Sequence, residues 1–225
     1  MILKLTPKFI IAFLALTFVM HEAHEIVHTT VGRFICGCWG ERDFNVWGLC
    51  EGCDANPYSL ISTFVGPLFT FIMVWLGANL LSQNNSNSQK SLGFALIFAN
   101  MPFARLLNPI LGGGDEATVL NHFLHNRNQS NLITGILVTL IIAYPLYRAF
   151  ITIKNKYRIG LFLLFLLAPV IIDLLLVLGV MNTLLEKGVL SQYWILGSPM
   201  LVTVWTASVV LIFVIFRKSI YKLAK

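Results

Sequence analysis

Apolar residues fall in six long runs separated by short polar segments. The runs cover roughly residues 8–31, 57–82, 91–110, 131–151, 158–182 and 193–216. Each is close to the ~20 residues that an α-helix needs to cross the hydrocarbon of a bilayer. The pattern predicts an all-α fold: a polytopic membrane helix bundle of about six transmembrane helices, with the chain 1–225 forming a single domain.

Composition narrows the class further. Hydrophobic residues make up 57% of the chain and charged residues 12%, whereas soluble domains carry about 25% charged residues. The net charge of +6 does not indicate nucleic acid, because the basic residues lie in short loops and in the C-terminal tail. The lipid bilayer is therefore the expected environment, and no nucleic-acid partner is predicted.

The distribution of Lys and Arg predicts an orientation, because cytoplasmic loops of membrane proteins are enriched in them. With the N-terminus in the cytoplasm, the inside segments hold eleven basic residues and the outside segments five. The inside residues are Lys4, Lys8, Lys90, Arg148, Lys154, Lys156, Arg158, Arg217, Lys218, Lys222 and Lys225; the outside ones are Arg33, Arg42, Arg105, Arg127 and Lys187. Both termini are expected to be cytoplasmic, and the small size and lean loops favour a bacterial inner membrane or plasma membrane.

The N-terminal run also has the alternative interpretation of a signal peptide. Lys4 and Lys8 precede its apolar residues. A cleavage site needs small residues at the end of the run, and His21-Glu22-Ala23 fits that requirement poorly. We therefore expect the run to stay in the protein as its first transmembrane helix.

The first run ends in an HExxH motif, His24-Glu25-Ile26-Val27-His28. Residues four apart share one face of a helix, so His24 and His28 can bind the same metal ion. Glu25 lies beside the first ligand, where it is a candidate general base for a metal-activated water. Ionisable groups are costly inside a bilayer, so their presence there favours a functional role.

His21 lies on the same face as the motif. His21, His24, Glu25 and His28 fall within about a third of the helix circumference, at 100° per residue. His21 is a candidate substrate-binding donor, a residue that supports a ligand, or a ligand of a second metal. The plain alternative is that this face is the solvated polar end of the first helix.

The third ligand of a hydrolytic zinc site must come from elsewhere. The stretch from Asn100 to Glu116, rich in Asn, Pro and Gly, is the best source, and Asp115 is the candidate. Asp115 either caps a following short helix or both caps it and binds the metal; Glu116 is the fallback ligand. Asn100 and Asn108 are candidate oxyanion donors. With the predicted orientation, the third run delivers this stretch to the same leaflet as the HExxH motif.

Three further polar residues are candidates for a function. His122 and His125 are three apart and can share a helix face; we favour interfacial positions for them, and the alternative is substrate or metal binding. Asp173 lies within an apolar run, where a carboxylate is a candidate functional group. It is expected to pair with Arg105, to hold a ligand histidine or to be protonated.

Four cysteines lie close together between the first two runs, in a loop at 33–56. They are Cys36, Cys38, Cys50 and Cys53. Two alternatives stay open: two disulfides, which the predicted outer location favours, or a second, four-thiolate zinc site. In either case the loop is a candidate lid or gate beside the metal-site core at 8–126, which is followed by C-terminal helices at 131–216.

The order of these motifs resembles the site-2 protease family of polytopic zinc metalloproteases. The resemblance rests on HExxH in the first helix, on Gly66-Pro67 and on the Asn/Pro/Gly stretch that ends in Asp115, and it covers about the first 120 residues. Where the family often has an asparagine shortly after Gly-Pro, this chain has Thr70. The resemblance implies His24, His28 and Asp115 as zinc ligands and Glu25 as the base.

These observations together predict a membrane-embedded zinc metalloprotease with one catalytic Zn²⁺. Glu25 would act as general base, and the substrate would be a peptide or a membrane protein. Two alternatives remain: a metal-dependent lipid-modifying enzyme, either a hydrolase or a di-iron hydroxylase, and a metal transporter or sensor that uses the same ligands.

Overall fold

A computed structural model describes residues 1–224 of the chain; Lys225, one of the basic residues assigned to the inside, lies outside them. The α-helices are Pro7–Cys36 (α1), Ser59–Leu80 (α2), Asn87–Ala99 (α3), Pro102–Ile110 (α4), Asp115–Leu124 (α5), Arg127–Thr152 (α6), Arg158–Asp173 (α7), Asn182–Glu186 (α8) and Met200–Phe216 (α9). A π-helical segment, Leu174–Met181, joins α7 to α8, and 3-10 turns occupy Cys53–Ala55, Ile195–Gly197 and Arg217–Lys222.

The predicted fold class is confirmed. Within residues 1–224, six helical segments are long and apolar enough to cross a membrane, and no β-strand forms beyond isolated bridges. The first segment runs to Cys36, five residues past the expected end, and Gly37 closes it in the left-handed conformation with φ 78°. Glycine at this position ends a helix without the cost that a Cβ would bring.

The third segment departs from the single helix expected at 91–110. It spans Asn87–Leu124 as three consecutive helices. The first break is at Met101, which adopts φ 46° directly before Pro102, and the second is in the glycine run before Asp115. Proline lacks the N–H that a continuous helix would need there, so the chain turns at this point.

The sixth segment begins later than expected. The apolar run at 193–216 forms a helix only from Met200, because residues before Pro199 fold back as a loop against the cysteine loop. The backbone N–H of Arg42 donates to the Gly197 carbonyl (2.8 Å), and the Tyr193 hydroxyl donates to the Asp43 carboxylate (2.8 Å). Burial and the neighbouring Asp43 carboxylate raise the pKa of Tyr193, so this phenol keeps the proton it donates.

Close helix packing builds the core of the bundle. Gly77 and Gly93 let α2 and α3 approach, since a Cβ added at Gly77 would lie 2.7 Å from the Gly93 carbonyl oxygen. Aromatic side chains from α1, α3 and α7 also pack together around Phe165. Phe9, Phe13 and Phe94 meet its ring edge to face, and Phe98 packs against it at a tilt of 41°.

Both ends of the described chain lie beside this aromatic cluster, where Leu3 and Leu223 join the same core. Lys4 N–H donates to the Leu223 carbonyl (2.9 Å), and Lys154 N–H donates to the Met1 carbonyl (2.9 Å). The first residues, the connection after α6 and the last described residues therefore lie close together. The cysteine loop lies at the opposite end of the bundle.

Two disulfides hold the cysteine loop, Cys36–Cys53 and Cys38–Cys50, with Cα–Cα distances of 5.5 and 6.0 Å. The disulfide interpretation of the four cysteines is confirmed, and none of them is free for a thiolate zinc site.

A buried ion pair ties the same loop to α1 and α9. Arg42 donates to Glu22 (3.0 Å) and to Ser198 (3.0 Å), and the Thr206 hydroxyl donates to Glu22 (2.7 Å). Glu22 points away from the HExxH face, as its helical position indicates. It therefore anchors the loop and is not part of the site.

Candidate metal centre

Two histidines of α1 and an aspartate of α5 come together in the half of α1 nearer the cysteine loop. His24 Nε2 lies 3.1 Å from His28 Nε2, and Asp115 Oδ2 lies 3.3 and 3.4 Å from these two atoms. Ligand atoms at about 2.0–2.1 Å from one tetrahedral zinc ion are about 3.3–3.4 Å apart. The three atoms therefore have the spacing of three corners of a tetrahedral metal site.

Both imidazoles are held through their Nδ1 atoms. His28 Nδ1 lies 2.5 Å from the Ser62 carbonyl oxygen, which only accepts hydrogen bonds. The proton of the neutral ring is therefore on Nδ1, and Nε2 keeps a lone pair for a metal. His24 Nδ1 lies 3.0 Å from the Thr70 hydroxyl, which can hold it in the same way. Both Nε2 atoms are thus directed towards Asp115.

The His28 ring fills a slot shaped for it. A Cβ at Gly66 would overlap the ring, so only glycine fits at this point of α2. On the other side the Trp47 indole stacks on the imidazole, with centroids 4.5 Å apart and planes at 10°. Since His28 is fully buried, α2 and the cysteine loop together fix its orientation, and the loop forms a roof over this side of the site.

Asp115 does not cap α5. Gly114 occupies the N-cap position and has no side chain to cap the helix, so the expectation that Asp115 is the cap is wrong. The Asp115 carboxylate is instead turned to the histidines. Glu116 faces Arg105 (Oε1–Nη1 3.6 Å) and lies outside the group of three ligand atoms. Arg105 also approaches Asp115 (3.9 Å) and both ring nitrogens of His24 (3.1 Å). Its positive charge offsets the two adjacent carboxylates.

Glu25 and His21 form a second polar group beside the three ligand atoms. Glu25 is buried, and its Oε2 has no hydrogen-bond partner within residues 1–224. Its Oε1 lies 4.0 Å from His21 Nε2, and His21 Nδ1 lies 2.8 Å from Asp173 Oδ1. Asp173 is the last residue of α7 before the π-helical segment, a feature frequent at functional sites. One carboxylate oxygen of Glu25 therefore accepts no hydrogen bond within residues 1–224, and the other lies near the imidazole that Asp173 orients.

The remaining candidates are placed as follows. Asn100 and Asn108 line the cavity beside His24 and Asp115 that is described below. The Asn100 amide already donates to the Leu96 carbonyl (2.7 Å). His122 and His125 are exposed on α5 and at its end, outside the lining of the cavity. Their expected interfacial positions stay a prediction.

A cavity of about 440 Å³ opens from the metal centre between α4, α5 and α7. Its polar wall includes Glu25, Arg105 and Asp115. Its apolar wall comes from α4 with the residues that flank it, from the end of α7 and from the π-helical segment. The apolar residues are Met101, Ala104, Leu107, Leu111, Val170, Leu174 and Leu178. The cavity therefore offers a reacting group access to the three ligand atoms along an apolar surface.

Several contacts of the site had no signal in the sequence. Thr70, Gly66 and Trp47 reach the histidines only through the packing of α2 and the loop, and no spacing rule indicates it. Asp173 forms its hydrogen bond with His21, which is outside the group of three ligand atoms. Neither of its two expected partners, a ligand histidine or Arg105, is therefore the one it contacts, and Arg105 pairs with other carboxylates.

Comparison with known protein families, curated proteins and solved structures finds no match to this chain. The likeness to the site-2 protease family therefore rests on the motifs quoted above.

Proposed function

We propose that this protein is a membrane-embedded zinc metalloprotease of the site-2 protease kind, with one catalytic Zn²⁺ bound by His24, His28 and Asp115. The observation that carries the proposal is the convergence of three ligand atoms 3.1–3.4 Å from one another. The fixed Nδ1 atoms of both histidines support it. Three protein ligands leave a fourth position for water, which distinguishes catalytic from structural zinc sites.

The chemistry follows from the groups around the ligands. When bound, zinc would lower the pKa of a coordinated water towards ~7 and polarise a peptide carbonyl. Glu25 takes the proton of the attacking water at its unbonded Oε2 and then delivers that proton to the leaving nitrogen. Because Glu25 is buried and makes no other bond at this oxygen, it is ready for this transfer.

His21 is the best-placed donor for the carbonyl oxygen as negative charge develops on it. The Asp173 carboxylate accepts a hydrogen bond from the Nδ1–H of His21, which fixes the ring with Nε2 beside Glu25 and the cavity. A ring that also carries a proton on Nε2 can donate from there to the carbonyl oxygen. Asn100 is a weaker candidate, since its amide already donates to a backbone carbonyl. His21 thus acts on the substrate, and Asp173 positions His21.

The cavity suggests the class of substrate. Its apolar wall fits the side chains of an extended, hydrophobic peptide segment, either a short peptide or part of a membrane protein. Peptide groups in a transmembrane helix are hydrogen-bonded within that helix. The segment that is cut must therefore unwind before its carbonyl can reach the metal.

We place the protein in a bacterial inner membrane or plasma membrane, with both termini in the cytoplasm. The excess of basic residues at the end of the bundle where the termini meet supports this orientation. The metal centre then lies towards the outer leaflet, near the disulfide-bonded loop. Disulfides persist in that compartment.

The test is metal content and peptide hydrolysis on protein purified in detergent. Wild type is compared with a His24→Ala/His28→Ala double variant and with Glu25→Gln. We expect one zinc per chain in wild type and in Glu25→Gln, and none in the double variant. Glu25→Gln should lose turnover of an apolar peptide pool, read by mass spectrometry, by orders of magnitude.

Three results would contradict the proposal. Hydrolysis retained in Glu25→Gln would remove the mechanism. Equal metal content in wild type and the double variant would show that the motif is not a tight metal site. Two iron ions per chain would identify the oxidative lipid enzyme instead.

A further inference from the structure

A second polar cavity lies at the opposite end of the bundle, where the chain starts and finishes. It has a volume of about 760 Å³ and lies between the α2–α3 connection and the C-terminal end of α6. Lys90, Arg148 and Lys154 line it together with the phenols Tyr144 and Tyr147. Within residues 1–224, none of the Asp and Glu side chains is part of this lining. The cavity is therefore cationic and rich in hydrogen-bond donors, with no carboxylate to balance it.

Arg148 is fixed in position and keeps donors to spare. It donates to the Tyr144 hydroxyl (2.8 Å) and to the Leu81 carbonyl (2.9 Å), which uses two of the five N–H groups of a guanidinium. The Lys90 ammonium donates to the Gln83 carbonyl (2.9 Å) and has two further N–H groups. For the Lys154 ammonium we find neither a hydrogen bond nor an ion pair within residues 1–224.

Basic residues that only set topology need not share a cavity. Lys156 and Arg158, which follow Lys154 at the same end, instead lie over the aromatic rings of Tyr157 (5.6 Å) and Phe150 (4.8 Å). Three cations from three separate segments, collected around one cavity, repel one another unless an anion is bound between them. Arginine and lysine donors of this kind match the oxygens of a phosphate group.

The surroundings of the cavity indicate a lipid as the source of that phosphate. Tyr144 and Tyr147 are exposed on α6, and tyrosines are enriched where a membrane helix meets the headgroups. One to two helical turns before Tyr144, α6 exposes an apolar strip that includes Leu137 and Leu140. A lipid whose headgroup entered the cavity would have its acyl chains along this strip.

We propose that this cavity binds the phosphate headgroup of an anionic phospholipid. Arg148 supplies the fixed bidentate donor, Lys90 and Lys154 supply the surrounding charge, and the exposed face of α6 receives the acyl chains. Basic pockets between membrane helices are suited to anionic headgroups. The inference does not depend on the proposed protease activity, since it uses none of the residues of the metal centre.

The experiment measures lipid binding to the full-length protein in detergent micelles, from the rise in thermal-unfolding midpoint as lipid is added. Phosphatidic acid is compared with phosphatidylcholine of the same acyl chains, and glycerol 3-phosphate serves as the soluble phosphate. We expect phosphatidic acid to bind at least tenfold more tightly than either of the others. Arg148→Gln and Lys154→Gln should each weaken it about fivefold, the effect of one basic residue near an anionic surface.

Lys156→Gln is the matched control, two residues from Lys154 but outside the cavity, and it should leave binding unchanged. Lys154→Gln keeps the test decisive if Arg148→Gln fails to fold, because the Lys154 ammonium makes no contact that the fold needs. Equal binding of phosphatidylcholine would overturn the proposal. So would an equal loss in Lys156→Gln and Lys154→Gln, which would mean diffuse surface charge, or equal binding of glycerol 3-phosphate, which would mean a soluble ligand.

Discussion

His21 and Asp173 are 152 residues apart in the chain, and their side chains are joined by a hydrogen bond of 2.8 Å within the wall of the cavity that borders His24 and Asp115. The bond fixes the His21 ring with its other nitrogen beside Glu25 (4.0 Å). An oriented imidazole beside one oxygen of a buried carboxylate, whose other oxygen accepts no hydrogen bond, is a costly arrangement in an apolar bundle. It is accounted for if both groups face the same reacting carbonyl.

Asp173→Asn is therefore expected to lower kcat by about 10²–10³-fold, the cost of losing one donor to the oxyanion. Zinc content should stay at one per chain, because Asp173 touches none of the three ligands. The measurement is steady-state peptide hydrolysis together with metal analysis, and Asp54→Asn, in the exposed loop, is the control. Loss of zinc alongside kcat, or a change in KM alone, would assign Asp173 a structural or binding role.

Thr70→Val tests the support of His24. The change keeps the shape of the side chain and removes the hydroxyl that lies 3.0 Å from His24 Nδ1. Groups that hold the distal nitrogen of a ligand histidine are worth about 10–100-fold in metal affinity, so zinc affinity should fall by that factor while helix content is retained. Competition with a chromogenic chelator gives the affinity. Thr139→Val, which removes an exposed hydroxyl bonded only within its own helix, should have no effect.

Gly66→Ala tests the slot for His28. The added Cβ would overlap the imidazole, and the stacked Trp47 leaves the ring no room to retreat. The ring must turn, Nε2 leaves the position opposite Asp115, and zinc binding should be lost.

Gly160→Ala is the control for this change, since a Cβ there meets nothing within 4 Å. Circular dichroism of both variants separates loss of the site from loss of the fold. Zinc bound at wild-type affinity in Gly66→Ala would mean that the slot does not set the orientation of His28.

What the sequence predicted follows from local rules. The two histidines share a face because residues four apart on any helix do so, and six apolar runs of sufficient length predict six crossings. Asp115 could be selected because the third run delivers it to the same end of the bundle as His24. The disulfides could be expected, but four cysteines allow three pairings, and only the fold selects Cys36 with Cys53.

What the sequence did not predict depends on contacts between elements. The chain turns at Met101 in a left-handed conformation that methionine rarely adopts, so the local sequence favours neither this turn nor its place. Hydropathy also cannot separate the folded-back residues before Pro199 from the helix that follows, because both are apolar. The bond between His21 and Asp173 requires α1 and α7 to pack in one register, and that register has no pattern along the chain.

The ion pair between Glu22 and Arg42 links the metal helix to the roof over the site, and its removal should affect both stability and the metal centre. Both side chains are buried and 3.0 Å apart, and deletion of one partner of such a pair costs about 3–5 kcal/mol because the other charge is left unpaired. Glu22→Gln should lower the thermal-unfolding midpoint and loosen Trp47 from His28, seen as a change in tryptophan fluorescence. Glu22→Leu/Arg42→Met, which removes both charges, should recover most of the stability. If the double variant is no more stable than Glu22→Gln, the pair is not what holds the loop.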